Sequence, residues 1–325
     1  MRPGVQKLWS RLIVASLVLA LVSACGAADA GSGGPGTDEA SALRPVALEP
    51  GAKLRVVATT NIIGDVVHNV GGDRIELTTL MGIGVDPHTY VPRPSDAAAI
   101  HDAHIVFVNG ADLETNLEEM LNAAGGEGVH VSLSDGLELR AAAEGAKKGH
   151  GDVDPHVWFN VQNVVTWVQT IANTLSALDP DNATSYGENA QNYLQELEEL
   201  DNWVMEQIAL IPESHCKLVT NHPAFGYLAD RYGLEQLGAV YPVNPSSEPS
   251  AQDVAALQDG ILQYGVPAVF TESTVNPKLA EQVAQDAGIK LVPLYTGSLG
   301  PPGSGAETYI GLIRYDVSVI VAALR

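Results

Sequence analysis

Three histidines in this chain share one local setting. Asp86-Pro87-His88 and Asp154-Pro155-His156 repeat the same tripeptide, and Asn221-His222-Pro223 puts a third imidazole directly before a proline. Proline fixes its own φ, so a neighbouring side chain loses less freedom when it is held for coordination. Each of the three lies at an expected junction between elements, the place where a fold exposes ligating groups. Neutral imidazole is a good ligand for zinc, whereas manganese prefers carboxylate oxygen. The reading is therefore a metal site assembled from His88, His156 and His222, with Zn2+ as the expected ion and Mn2+ as the alternative.

The remaining histidines have ordinary settings. His68 falls on an amphipathic helix, His101 and His104 bracket the start of a strand, His130 is inside a strand pattern, and His215 neighbours Cys216. His150, in the loop Lys147-Lys148-Gly149-His150-Gly151, lies near His156 in sequence and is placed to pass metal to it.

The elements that must position these residues alternate in type. Leu54–Thr59 reads as a strand, followed by a helix through Ile62, Val66, Val67 and Val70 that stops at Gly71-Gly72. Further strands are expected at Arg74–Met81, His104–Asn109 and Val129–Leu133, with helices from Ser95 and at Leu113–Ala123. After His156 a helix runs from about Asn160 to Ala177. The segment from Asp181 to Ile211 carries Leu194, Leu197, Leu200, Val204, Ile208 and Ile211 at three- and four-residue spacing. Such a single-striped helix, more than about 40 Å long, serves as a strut. Beyond it, strands at Lys217–Thr220, Gln236–Tyr241, Ala268–Thr271 and Lys290–Tyr295 alternate with helices at Ala224–Arg231, Ser250–Tyr264 and Pro277–Ala287, before a C-terminal helix. The expected fold is α/β: two lobes, each a parallel-rich sheet flanked by helices, joined by one long rigid backbone helix, with the metal site in the interlobe cleft.

Composition narrows the function. The chain has 325 residues, with 39 acidic against 17 basic and a formal net charge of −22. That balance repels nucleic acid and anionic lipid. Arg2, Lys7 and Arg11 precede an apolar run from Leu12 to Val22 that is too short to span a membrane and suits a signal peptide. Its ending, Leu21-Val22-Ser23-Ala24-Cys25, resembles a bacterial lipobox, in which Cys25 would be acylated and anchor the protein to a membrane surface; plain cleavage near Ala24 is the alternative. The Gly-, Ala-, Ser-, Asp- and Pro-rich stretch that follows reads as a flexible tether. The expected organisation is a signal peptide over 1–25, a tether over 26–52, a first lobe over 53–179, the linking helix over 180–212 and a second lobe over 213–325. Cys216 is left as a lone buried thiol.

Several runs, in order along the chain, resemble the zinc/manganese (ZnuA/TroA-like) class of ABC-transporter solute-binding lipoproteins. They are Asn61-Ile62-Ile63-Gly64-Asp65-Val66-Val67, Gly71-Gly72-Asp73-Arg74-Ile75, Asp86-Pro87-His88-Thr89-Tyr90, Asp154-Pro155-His156-Val157-Trp158, His222-Pro223-Ala224-Phe225-Gly226-Tyr227, Glu248-Pro249-Ser250 and Glu272-Ser273. The resemblance covers residues 54–325. It implies one metal ion between two lobes, delivered to an ABC membrane permease by a monomer held outside the cytoplasm, and no catalysis. An adhesin role is compatible with it. His88 and His156 match family ligands, and His222 stands where manganese-selective members often carry glutamate. The family's fourth ligand is an aspartate, but the matching run Tyr295-Thr296-Gly297-Ser298-Leu299-Gly300 has Gly297 there. Water, Glu272 or Glu307 remains to complete the shell, with Glu272, at a strand's carboxyl end, the preferred choice.

Two other functions fit the same residues less well. A catalytic zinc also uses three protein ligands and an open position, but it needs a general base, and no His-Glu-x-x-His helix is present. An organic solute would need aromatic walls, and aromatic residues make up only 6% of the chain.

Overall fold

A computed structural model of the chain describes residues 43–142, 152–240, 251–274 and 276–325. The signal segment with Cys25, most of the tether, His150 and the helix start at Ser250 lie outside the described residues. β1 (Leu54–Ala58) is an apolar run with β-branched residues and forms the centre of the first sheet. It pairs in parallel with β2 (Ile75–Thr79), register Leu54↔Ile75, and with β3 (Ile105–Val108), register Val56↔Ile105. β4 (Val129–Ser132) pairs with β3, which gives the order β2-β1-β3-β4. The second sheet repeats that order as β6-β5-β7-β8, from β5 (Lys217–Thr220), β6 (Glu235–Ala239), β7 (Ala268–Glu272) and β8 (Lys290–Leu294). Both sheets are wholly parallel, and in such sheets ligand-binding loops gather at the carboxyl ends beside the central strands.

Helices cover the sheets as their apolar faces require. α1 (Asn61–Gly71) begins at Thr60, whose side chain accepts from the Ile63 amide, and buries Ile62, Ile63, Val66, Val67 and Val70. α2 (Pro94–Asp102) starts on Pro94 with Asp96 bonding back to the Arg93 amide. α3 (Glu118–Ala123) is shorter than its sequence suggests. Ala111 and Asp112 both take positive φ, and Glu114 is buried and accepts from Thr59 Oγ1 and the Asn109 and Gly110 amides. Turning Glu114 inward to satisfy those donors delays the helix.

α4 (Val161–Leu178) is capped by Asn160, and α5 (Ala183–Ile208) follows after a short 3-10 turn at Pro180–Asn182. α5 has 26 residues, about 39 Å of helix. It buries Tyr186, Ala190, Tyr193, Leu197, Leu200, Val204 and Ile208 on one side, as its single stripe requires. α6 (Gly226–Tyr232), α7 (Ala251–Tyr264), α8 (Lys278–Ala287) and α9 (Tyr309–Leu324) complete the second half.

Two features depart from the sequence reading. The expected tether is not free over its last stretch: Leu43, Val46 and Leu48 pack on the core, and the Val46 amide bonds to the Leu178 carbonyl at the end of α4. Each sheet keeps a core of its own on one face, around Val57 and Val106 in the first and Val219 and Val269 in the second, but the cores of their other faces are joined. One continuous apolar cluster runs from Leu54 and Val56 of β1 through Trp167 and Leu197 to Phe270 of β7 and Ile320 of α9. α5 is the reason, because its apolar stripe packs against α1 and α4 of the first half and α9 of the second.

Candidate metal centre

Asp86 and Asp154 explain why Asp-Pro-His occurs twice. In each, the aspartate Oδ1 accepts from the backbone amide of the histidine two residues on, at 2.9 Å for His88 and 3.1 Å for His156. This side-chain-closed turn, stiffened by the intervening proline, pins the histidine's backbone. His88 lies in a 3-10 turn, Pro87–Thr89, beyond β2; its carbonyl accepts from Asn116 Nδ2. Pro155, before His156, is held through its carbonyl by Asn109 Nδ2 at the end of β3. His222 follows β5 at the carboxyl end of the second sheet.

These three junctions bring the imidazoles together. The ring centroids of His156 and His222 stand 4.8 Å apart, those of His88 and His156 5.1 Å, and those of His88 and His222 5.3 Å. His156 Nε2 is 3.1 Å from His88 Nε2 and 3.0 Å from His222 Nε2. All three rings are buried, and among the described residues they form the one group of His, Cys, Asp or Glu ligand atoms close enough to share an ion. Two nitrogens on a tetrahedral zinc, each about 2.0–2.1 Å from it, stand about 3.3–3.4 Å apart, close to the separations seen here.

The groups behind the rings fix which nitrogen faces the centre. His156 Nδ1 is 2.8 Å from Asp154 Oδ1, and His222 Nδ1 is 2.5 Å from Glu272 Oε1. A carboxylate can only accept, so each Nδ1 carries the proton, and in the neutral ring each Nε2 presents a bare lone pair. Two lone pairs facing each other at 3.0 Å repel unless a proton or a cation lies between them. Carboxylate-backed imidazole is the arrangement that orients a metal-ligating histidine and raises its basicity.

Electrostatics agree with that arrangement. Burial alone would lower the His222 pKa, yet Glu272 behind it, with Asp86 and Asp154 nearby, holds it above its ordinary value. Burial alone would raise the Asp154 carboxyl, but the His156 ring and the Arg140 guanidinium hold it below its ordinary value.

Glu272 therefore stands one step back from where the sequence reading put it. Its Oε1 meets His222 and its Oε2 accepts from Thr296 Oγ1, so both oxygens are engaged away from the triad's centre. A carboxylate at the end of β7 reaches the ring of His222 before it reaches the gap between the rings. Glu307 is exposed and bonds to the Gly303 amide within its own loop. Gly297 sits against the first half of the molecule: a Cβ there would lie 2.7 Å from Pro87 Cδ. His68, His101 and His130 are exposed, His104 accepts from the Arg55 amide, and His215 meets the Leu324 carbonyl. Sequence reasoning passed over Asp154, although its place two residues before His156 marked it. Arg140, which joins Asp154 from a different segment, left no such mark.

Proteins similar to this chain are named for metal binding and metal uptake. The family model of the periplasmic component A of zinc-uptake complexes (ZnuA) matches residues 56–323. The manganese-binding lipoprotein MntA of Halalkalibacterium halodurans is 35% identical over 312 residues, 95% of this chain and 96% of its own. The manganese ABC transporter substrate-binding lipoprotein PsaA of Streptococcus pneumoniae is 32% identical over 281 residues, 84% of this chain and 90% of its own. Among solved structures, the periplasmic zinc-binding protein TroA of Treponema pallidum superposes with a TM-score of 0.78 at 32% identity, covering 84% of this chain and 99% of TroA. The manganese-bound periplasmic metal-binding protein of Candidatus Liberibacter asiaticus superposes with a TM-score of 0.76 at 27% identity, over 84% of this chain and 100% of that one. These relatives are metal-binding and substrate-binding proteins, not enzymes, and the chain belongs to their family, that of the periplasmic zinc-uptake component A.

Proposed function

We propose that this protein captures a divalent transition metal on His88, His156 and His222 and delivers it to the membrane permease of an ABC importer. The observation that carries the reading is the convergence of three buried imidazoles, two of them with Nε2 bared by carboxylates behind their rings. Lipid on Cys25 would keep the captured metal near the permease, and one polypeptide supplies all three imidazoles, so a monomer suffices.

The donor set favours zinc. Three neutral imidazoles with no carboxylate between them suit a borderline-soft ion, and water completes the shell where Gly297 brings no side chain. Manganese is the second reading, favoured by the manganese-binding relatives MntA and PsaA. Titration calorimetry of the metal-free protein with zinc and with manganese tests both. Zinc binding at least about ten-fold tighter than manganese supports the first reading, and the reverse order supports the second. Binding of neither ion, or full affinity in His156→Ala, overturns the site.

A further inference from the structure

Behind His156 lies a group that the metal-capture reading does not use. Arg140 belongs to the first half of the chain, in the segment after β4, where its carbonyl accepts from the Asp154 amide and the next residue, Ala141, bridges to Val153. Its guanidinium forks. One arm, Nη1, donates to Asp154 Oδ2 at 3.0 Å, the oxygen opposite the one that holds His156. The other, Nε, donates to Asp230 Oδ2 at 2.5 Å on α6, in the second half. The backbone reinforces the crossing: the Arg140 amide donates to Tyr227 Oη of α6 at 3.0 Å, and that hydroxyl donates to the Asp154 carbonyl at 2.9 Å.

The fold has made room for this fork. Gly226 opens α6, and a Cβ there would overlap Arg140 Nη1 and lie 2.8 Å from Asp154 Oδ2. Only a residue without a side chain lets the guanidinium pass. The line of contacts also runs from buried to exposed: the Asp154 side chain is 6% exposed, Arg140 31% and Asp230 62%. The inner pair is thus shielded from solvent and salt, while the outer pair is open to both.

We infer that Arg140 is a positioning residue for metal retention, orienting Asp154 and through it the His156 ring, and fastening that ring to α6 across the two halves through Asp230. The inference rests on His156 being a ligand. A planar fork suits the task, since it bonds two carboxylates at fixed angles, which an ammonium cannot do. With Arg140 in place, leaving the metal requires His156 to move together with Asp154 and the α6 edge. Without it, Asp154 and the ring it holds lose their guanidinium link to α6.

The test is the rate at which zinc leaves the loaded protein for an excess of fluorescent chelator, read by stopped flow beside the melting temperature of the metal-free protein. Arg140→Ala should release zinc at least about ten-fold faster, and Arg140→Lys should fall between it and the native protein. Asp230→Asn, at a side chain 62% exposed, should speed release about three-fold and leave metal-free melting unchanged. A native release rate in Asp230→Asn overturns the fastening to α6, whatever Arg140→Ala does. If Arg140→Ala lowers metal-free and zinc-loaded melting equally at an unchanged release rate, its role is packing and the inference fails. His156→Ala separates this failure from that of the site: zinc bound there at full affinity removes the site itself, whereas zinc lost there with native release in Arg140→Ala and Asp230→Asn removes only the positioning role.

Discussion

An imidazole holds a metal well only if its far nitrogen is also held, and in this protein two different carboxylates do the holding. Glu272 backs His222 from β7, and Asp154 backs His156 from the same tripeptide. Glu272→Gln keeps an acceptor near Nδ1 but loses the charge, so zinc affinity should fall by about 10- to 100-fold, measured by competition with a chelator. The same pair has opposite pH consequences with and without metal. The His222 pKa is raised from 6.5 in the folded metal-free chain, so its protonated pair with Glu272 stabilises that state fully below about pH 6.5. That contribution is lost as pH rises through the folded value. Zinc needs the bare Nε2, so its affinity should fall over the same range as pH drops. Urea melts of the metal-free protein and zinc titrations from pH 5 to 8 should therefore run in opposite directions, and Glu272→Gln should flatten both. The histidines stood out in the sequence because a tripeptide repeated at His88 and His156, and a proline beside His222, are local signals. The contact of Glu272 with His222 Nδ1 was not legible, since no pattern says which atoms of two facing side chains meet.

The elements followed from periodicity where they are long, and least well where a polar side chain turns inward. α4 and α5 differ from their expected spans by only a few residues, because an apolar stripe of many turns overrides local choices. α3 begins five residues late because Glu114 serves backbone amides instead of a helix. The polar fastening of α5 was invisible, since its partners come from two other segments, α4 and α6. Asp201 of α5 is buried and accepts from Gln162 of α4 and from Arg231 and Tyr232 of α6. Burial opposes ionisation there, but Arg231 and Tyr232 hold the carboxyl below its ordinary 3.8. Its stabilisation is thus present above about pH 3.8 and disappears as pH falls through the lowered value. Asp201→Asn should cost roughly 1–3 kcal/mol in urea unfolding at neutral pH, because the buried hydroxyl of Tyr232 and the Arg231 fork lose their charged acceptor. A variant as stable as the native protein would mean that apolar packing alone holds α6 on the strut.

At the scale of the whole molecule, the paired sheets were legible from alternating strands and helices, while the continuity of their core was not. Two lobes joined by a strut suggest two cores, each free to unfold alone. The apolar cluster instead passes from β1 through α4 and α5 to β7 and α9, and polar bonds cross with it. Asn61, at the start of α1, donates to Ser298 Oγ and accepts from the Leu299 amide, and Trp158 Nε1 donates to the Thr296 carbonyl. Removing either half would strip part of the apolar face of α5, so the two halves are expected to fold together. The metal-free protein should accordingly unfold in one transition, with tryptophan fluorescence and far-ultraviolet circular dichroism coinciding along the urea axis. A metal ion held by His222, His88 and His156, as proposed, would join residues from both sheets, so it should bind only when the whole body is folded. At free zinc about 1,000 times its dissociation constant, that one transition should shift by about 4 kcal/mol of added stability without splitting. A second transition that zinc leaves in place would show one half unfolding independently of the site, and the shared core would then not be what couples the two sheets.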